Sequence, residues 1–513
     1  MSDHRLGKRA CGVLLPVFSL PSPYGIGAFS REAYDFVDFL ADAGQSYWQI
    51  LPMGPTAYGN SPYQSYSTYA GNPLFIDIET LIEDGLLPDR RAVARAHAAI
   101  DDTRIDYDRL LAVRMRILRK AYENSGLSGG KRRTAFAREF EAFCKRNASW
   151  LEDYALFMAL KDAGGGRAWT EWEDRDLRLR RKDALPCARK TYADDTGFYR
   201  FVQFLFARQW EALKAYANGK GIDIIGDLPI YVAPDSADTW ANPALFELDS
   251  NRKPKRVAGC PPDDYAVTGQ LWGNPVYRWE KHAQDNYRWW VKRLTYALAQ
   301  TDIVRIDHFR GFESYYAIDA REKTAENGVW EKGPDIALFR ALEKKKPGCR
   351  VIAEDLGFLT PAVHRLMKKT GYPGMKVLQF AFYPDENGRF ASGYLPYRYE
   401  RNCVVYTGTH DNDTTVGWYR TLGKRERAFL RAYLDVEQDD AKKVTDALIR
   451  AALSSVADTA IIPLQDYLKL DTRARVNTPS TVGENWKWRM RDGQMTDALA
   501  KRMRKLASLY GRI

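Results

Sequence analysis

Along this chain, short runs of aliphatic residues alternate with stretches in which apolar residues recur every three or four positions. That is the pattern of buried strands separated by amphipathic helices. Gly12-Val-Leu-Leu-Pro-Val17 predicts a first strand, and behind it Ala33, Phe36, Val37 and Leu40 fall at i, i+3, i+4 and i+7 of a helix over 31–43 that Gly44 stops. Tyr47-Trp-Gln-Ile-Leu-Pro52 reads as a second strand. From about Gly54 to Thr196 the strand signal fades, and helical patterning near 107–123, 135–147 and 150–162 replaces it. After a further helix near 201–217 the alternation resumes, with strands expected at 222–227, 303–309, 350–354, 376–380, 403–407 and 459–464. Parallel strands need long crossovers, usually helical, and eight strands with interleaved helices fit a (β/α)8 barrel, a fold of ~250 residues before insertions. The expected fold is an α/β, (β/α)8 TIM barrel with large, mostly helical insertions. Residues 1–53 form the first part of the barrel, 54–200 a helical insertion subdomain, and 201–513 the remainder, including a loop near 259–265. No repeat of short period is visible.

Barrels of this kind carry their chemistry at the C-terminal ends of the strands. The stretch Asp302-Ile-Val-Arg-Ile-Asp-His308 runs from aliphatic residues straight into charged ones. Strand alternation points Arg305 and Asp307 the same way, and a guanidinium beside a carboxylate is expected to hold it ionised, as a nucleophile at a sugar carbon must be. A structural Arg–Asp pair at a strand end explains that segment alone equally well. Further polar residues follow the other strands: Asp227 after the third, Glu354 and Asp355 after the fifth, His410 and Asp411 after the seventh. Five carboxylates converging on one face is a costly arrangement unless function requires it. Tyr58, Tyr63, Trp240, Tyr265, Trp272 and Trp418 lie in loops rich in Gly, Pro and Asn, where aromatic rings suit the apolar faces of sugars, although each taken singly suits packing as well.

Composition narrows the classes without choosing among them. Of 513 residues, 45% are hydrophobic and 28% charged, and no run approaches the ~18 apolar residues of a membrane span. The N-terminus lacks the apolar region of a signal peptide, so the cytoplasm is the expected location and no membrane partner is expected. Six cysteines stand singly, without metal-ligand spacing, so neither disulfides nor a metal site is expected. The net charge of +11 admits an anionic partner. The densest basic patch, Arg178-Leu-Arg-Arg-Lys182 with Lys131-Arg-Arg133, nevertheless comes with no nucleic-acid-binding motif and reads as a solvated surface. Tyr24-Gly-Ile-Gly27 and Ser128-Gly-Gly-Lys131 fall short of dinucleotide and phosphate loops. Composition and spacing stop at a barrel enzyme acting on a polyol or sugar.

Longer motifs go further. Leu51-Pro-Met-Gly-Pro-Thr-Ala-Tyr-Gly-Asn-Ser-Pro-Tyr-Gln-Ser65, Gly71-Asn-Pro73, Gly226-Asp-Leu-Pro-Ile-Tyr-Val-Ala-Pro-Asp-Ser-Ala-Asp-Thr-Trp240, Gly269-Gln-Leu-Trp-Gly-Asn-Pro275, Arg305-Ile-Asp-His-Phe-Arg-Gly-Phe312, Ala353-Glu-Asp-Leu-Gly357 and Thr407-Gly-Thr-His-Asp-Asn-Asp-Thr414 occur in order between Gly12 and about Arg489. Together they resemble the motifs of the 4-α-glucanotransferases (amylomaltases, or disproportionating enzymes) of glycoside hydrolase family 77.

The resemblance implies that Asp307 is the nucleophile, Glu354 the general acid/base, and Asp411 a carboxylate that binds the donor sugar and stabilises the transition state. It implies sugar subsites lined by Ser61, Tyr63, Asp227, Trp272, Arg305, His308, His410 and Asn477, and a second glucan site at Tyr58. Transfer must also exclude water, and the expected lid is the loop Gly259–Tyr265, stiffened by Pro261 and Pro262, with Tyr265 free to cover a bound glucan. It further implies α-1,4-glucans as substrates and no cofactor. A monomer is the expected state. The chain departs from the family pattern at Asp264 in the lid, at Leu395-Pro-Tyr-Arg398, where Leu-Pro-His-Asn is usual, and at Ser480, where some relatives carry Gly. An α-glucan hydrolase would use the same three carboxylates, and a non-catalytic glucan binder would not need all three.

Overall fold

The computed structural model describes residues 6–97, 103–128, 134–262, 266–357, 359–385 and 387–513. Eight parallel strands form its centre: Ala10–Leu14, Tyr47–Gln49, Asp223–Leu228, Ile303–Ile306, Val351–Ala353, Gly374–Val377, Cys403–Tyr406 and Thr459–Pro463. They neighbour one another in chain order, and the eighth pairs back onto the first. Between the fifth and sixth the ladder is reduced to an Ala353 N–H donated to Pro373 O, 2.9 Å. The result is a nearly closed barrel, built from all eight stretches expected to be strands.

Strand alternation decides what faces inward. Ile225, Ile303, Ile352, Met375, Val377, Val404, Tyr406 and Ile461 fill the barrel interior as one apolar cluster. Val304 and Ile306 point the other way, into the core shared with the surrounding helices. Parallel register sets Asp227 opposite Arg305, and Arg305 opposite Ile352. Two polar positions on consecutive strands, Asp227 and Arg305, therefore rise on the inner face just above that cluster.

Among the described residues between the second and third strands there is no strand, only helices and turns. The two helical stretches near 135–147 and 150–162 are one helix, Ala135–Ala163, capped by Thr134 accepting from Ala137 N–H. It continues through Asn147-Ala-Ser149 because its apolar positions Phe143, Trp150, Leu151, Tyr154 and Phe157 bury a single unbroken face. The following helix, Ala193–Gly219, begins before the expected 201 and crosses residue 200 without a break. Tyr199 stacks edge-on against Tyr154 of the inserted helix, while Trp210 donates to Gln300 O and Tyr216 to Asp38 on the barrel's own helices.

A second sheet was not evident from the sequence. Gln270–Pro275, Arg256–Cys260, Ser314–Asp319 and Val329–Lys332 pair antiparallel in that order. Gly273 and Pro275 argue against a strand on propensity, and these segments are strands through cross-strand pairing rather than through their own patterning. The loop near 259–265 begins inside this sheet, with Gly259 and Cys260 in a strand; Asp264 and Tyr265 lie outside the described residues, as does Lys131-Arg-Arg133. In the other half of the basic patch, Arg180 pairs with Asp153 at 2.5 Å and Arg181 with Asp176 at 3.1 Å. No helix among the described residues is long and apolar enough to cross a membrane.

Candidate active site

At the C-terminal end of the barrel a cleft of about 380 Å³ is lined by Tyr58, Ser61, Tyr63, Trp272, Asp307, His308, Glu354, His410, Asp411 and Asn477. Asp307 sits one residue beyond the fourth strand, its N–H donated to Leu228 O at 3.0 Å. The chain then turns sharply at His308, whose φ of +48° is in the left-handed region that few non-glycine residues occupy. That turn aims the His308 N–H at Glu354 Oε2, 2.7 Å away. Glu354 follows the fifth strand directly, and Leu356 N–H donates to its other oxygen at 2.7 Å. The two carboxylates are thus presented by adjacent strands, one of them gripped by the residue after the other.

Arg305 lies beneath them with its side chain only 4% exposed. Its Nη1 donates to both oxygens of Asp227 at 2.8 Å and to Asp307 Oδ1 at 3.2 Å, while its Nε approaches Met375 Sδ at 3.4 Å. The expected Arg305–Asp307 pairing is present, but the guanidinium is shared and its shorter contacts go to Asp227. Burial opposes the arginine's charge, yet Asp227 and Asp307 more than offset it and hold its pKa well above the ordinary value.

Tyr63 OH donates to Asp227 Oδ2 at 2.7 Å and lies 2.9 Å from His410 Nε2. With its one proton given to Asp227, Tyr63 has only lone pairs left for His410, so His410 carries its proton on Nε2. The same Nε2 is 3.3 Å from Asp411 Oδ1, and Asn477 Nδ2 donates to that oxygen at 2.6 Å. Burial lowers the pKa of His410, against the pull of Asp411, and favours the neutral ring.

Burial also pushes the carboxyls of Asp307 and Glu354 above the ordinary carboxylate range. For Asp307 the pull of Arg305 is outweighed by burial together with the negative charges of Asp227, Glu354 and Asp411. A low pKa for Asp307, expected from the spacing to Arg305 alone, is therefore corrected: the fold commits that arginine chiefly to Asp227. Two buried acids this close titrate as a pair, taking up protons in two steps that belong to both.

Other expectations are redistributed. Asp355 does not join the converging carboxylates. It is turned into the barrel wall, accepting the Met375 N–H at 2.6 Å, because successive residues leave a strand on opposite sides. Gly374 makes room for it, since a Cβ there would sit 2.5 Å from its oxygen. Trp240 and Trp418 are buried packing groups whose indole N–H groups donate to Leu177 O and Tyr383 OH. Trp272, in contrast, meets the His308 ring edge-on at 4.9 Å in the cleft, and His308 Nε2 is buried without a hydrogen-bond partner among the described residues. Burial holds the pKa of His308 down at about 3, so the ring is neutral and this nitrogen can serve a ligand hydroxyl.

Tyr58 lies at the mouth of the cleft, 76% exposed. Tyr397 and Arg398, on the single turn Pro396–Arg398, are not among the lining residues, whereas Ser480 is, at a φ of +64° that glycine adopts freely. Gln64, Tyr231, Gln270 and Asn274 also line the cleft, and Gln64 Nε2 donates to Asn274 Oδ1 at 3.0 Å. All four lie within the Leu51–Ser65, Gly226–Trp240 or Gly269–Pro275 motifs and show no chemistry of their own in the sequence; only the hydrogen bonds between distant segments give them a place in the site.

A family model described as 4-alpha-glucanotransferase matches residues 15–496. A 4-alpha-glucanotransferase of Streptococcus pneumoniae is 46% identical over 507 residues, covering 99% of this chain and 98% of its own, and one of Thermus thermophilus is 46% identical over 98% and 99%. Among solved structures, amylomaltase from Streptococcus agalactiae in complex with acarbose superposes with a TM-score of 0.93 at 38% identity, covering 98% of this chain and 100% of its own. Amylomaltase from Corynebacterium glutamicum, at 20% identity and a TM-score of 0.74, shares the fold.

Proposed function

The chain belongs to the 4-alpha-glucanotransferase family, glycoside hydrolase family 77, and from that premise we propose that Asp307, Glu354 and Asp411 carry the transfer of a glucan segment between α-1,4-glucans. Asp307 is the nucleophile and Glu354 the acid and then the base. The observation that carries this assignment is the coupling of the two carboxylates across adjacent strands: the residue after Asp307 donates its N–H to Glu354, in a buried setting that raises both carboxyls.

The pair holds one proton in its active form. Bound glucan adds the glycosidic oxygen as the proton's acceptor. Glu354 then donates to the leaving oxygen while Asp307 attacks the anomeric carbon, forming a covalent glucosyl-enzyme and releasing the first product. In the second half Glu354 removes the proton from an acceptor 4-hydroxyl, which attacks the same carbon and frees Asp307, so the anomeric configuration is retained. Asp411, its carboxylate aimed by Asn477 and His410, binds the hydroxyls of the donor ring and stabilises the developing positive charge. Asp227, Arg305 and Tyr63 form the floor of that subsite, and His308, Trp272 and Ser61 line it further along. Tyr58 supports a second contact for long chains, and Tyr265 covers the bound glucan as part of the lid. Acceptor sugars prevail over water because binding energy in these subsites is available to them alone.

In this reading the protein works as a monomer in the cytoplasm. The test is incubation with maltotriose. We expect glucose together with maltopentaose and longer chains at a constant number of reducing ends; a steady rise in reducing ends without longer products would make the protein a hydrolase.

A further inference from the structure

We propose that Arg475 is a positioning residue for the transfer, acting on the reacting sugar through Asp411 and Asn477. The proposal rests on the role given to Asp411 above. Arg475 makes no ion pair among the described residues. Its Nη2 donates to the main-chain oxygen of Asp411 and its Nε to that of Asn477, both at 2.7 Å. A planar fork bridging two carbonyls fixes their separation and direction, which a single-point donor cannot do.

These two residues are also joined by their side chains, Asn477 Nδ2 to Asp411 Oδ1 at 2.6 Å, and the Asn477 N–H donates to His410 O at 3.1 Å. Asp411 and Asn477 thus belong to a ring of bonds between the loop after the seventh strand and the segment after the eighth, with Arg475 closing it from below. Within its own loop only the neighbouring His410 approaches the Asp411 carboxylate; Thr409 Oγ1 reaches the main-chain N–H of Asp411, at 3.3 Å. The direction of the carboxylate is therefore set by Asn477 together with His410, and Arg475 ties the main chain of Asn477 to that of Asp411. Arg475 is itself anchored: its N–H donates to Thr472 O at 3.0 Å, and Thr472 Oγ1 donates to Asp413 Oδ2 at 2.8 Å, returning the support to the Asp411 loop.

Asp411 and the donor ring must meet within a fraction of an ångström, and a misplacement of ~1 Å costs on the order of a hundredfold in rate. We expect Arg475→Ala to lower kcat for maltotriose by roughly ten- to a hundredfold with KM changed less than about threefold, because the loss falls on the transition state. Arg475→Lys keeps the charge but not the fork and should recover only part of kcat.

The deciding measurement is a double-mutant cycle with α-glucosyl fluoride as donor. If Arg475 acts through Asp411, Arg475→Ala in an Asp411→Asn background costs less than about twofold. Multiplying losses, or a loss confined to Tm and KM, would overturn the proposal and leave the assignment of Asp411 standing. An Asp411→Asn variant with undiminished kcat would overturn both. Should Arg475→Ala fail to fold, Arg475→Lys completes the same cycle with the same two outcomes.

Discussion

On the proposed assignment, the acid pair Asp307 and Glu354 sets the pH behaviour of the protein. Burial raises both carboxyls, so the species with one shared proton spans a window above the range where exposed carboxyls titrate. As pH falls through the lower step, the nucleophile is protonated. As pH rises through the upper step, the acid is lost. Activity should therefore trace a bell, and Glu354→Gln should remove its alkaline limb and lower transfer from maltotriose by ~10²–10⁴. The same variant should retain glucosyl-enzyme formation from α-glucosyl fluoride, whose leaving group needs no acid; a pH titration with both donors separates the two. Stability follows the opposite logic. A carboxyl whose pKa is raised on folding favours the fold at low pH and loses that contribution as pH rises through the folded value. Asp307→Asn should thus stabilise the protein by ~1 kcal/mol at neutral pH and above, with the gain shrinking in acid, measured as Tm against pH.

Strands and loops determine whether those side chains meet. The fourth strand was legible from Ile303, Val304 and Ile306 because a strand buried on both faces reads as a continuous apolar run. Its partner in the site, the fifth strand, is shorter still, yet it delivers Glu354 to the cleft and Asp355 into the wall. That wall leaves no room at Gly374, so Gly374→Ala should destabilise the protein by ~1–3 kcal/mol through overpacking. It should also reduce kcat by moving the strand end that carries Glu354, with urea unfolding and maltotriose assays as the checks. The antiparallel sheet that supplies Trp272 was not legible. Gly273 and Pro275 weaken its local signal, and only pairing with Arg256–Cys260 makes Gln270–Pro275 a strand. Likewise the helix Ala135–Ala163 looked like two pieces because its buried face is defined by the helix Ala193–Gly219, not by its own period.

Over the whole molecule the cleft runs from the buried acids outward to Tyr58, so short and long glucans should engage different parts of it. Tyr58→Ala should leave maltotriose disproportionation within about twofold of the wild type and Tm unchanged. It should weaken the use of long glucans, read as KM against chain length, because an exposed ring contributes to binding without supporting the fold. By itself the sequence determined the eight strands, the helix behind the first of them, the strand-end carboxylates and the family, since these are properties of local apolar pattern and contiguous motifs. Tertiary structure alone decided that Arg305 chiefly serves Asp227, that Asp355 leaves the site, that Trp240 and Trp418 are packing groups, and that Arg475 reaches Asp411 across 64 positions of chain. The physical reason is that the partner of a charge or an unpaired hydrogen-bonding group is set by register and by which face of a strand it leaves, and neither is encoded within the few residues around it.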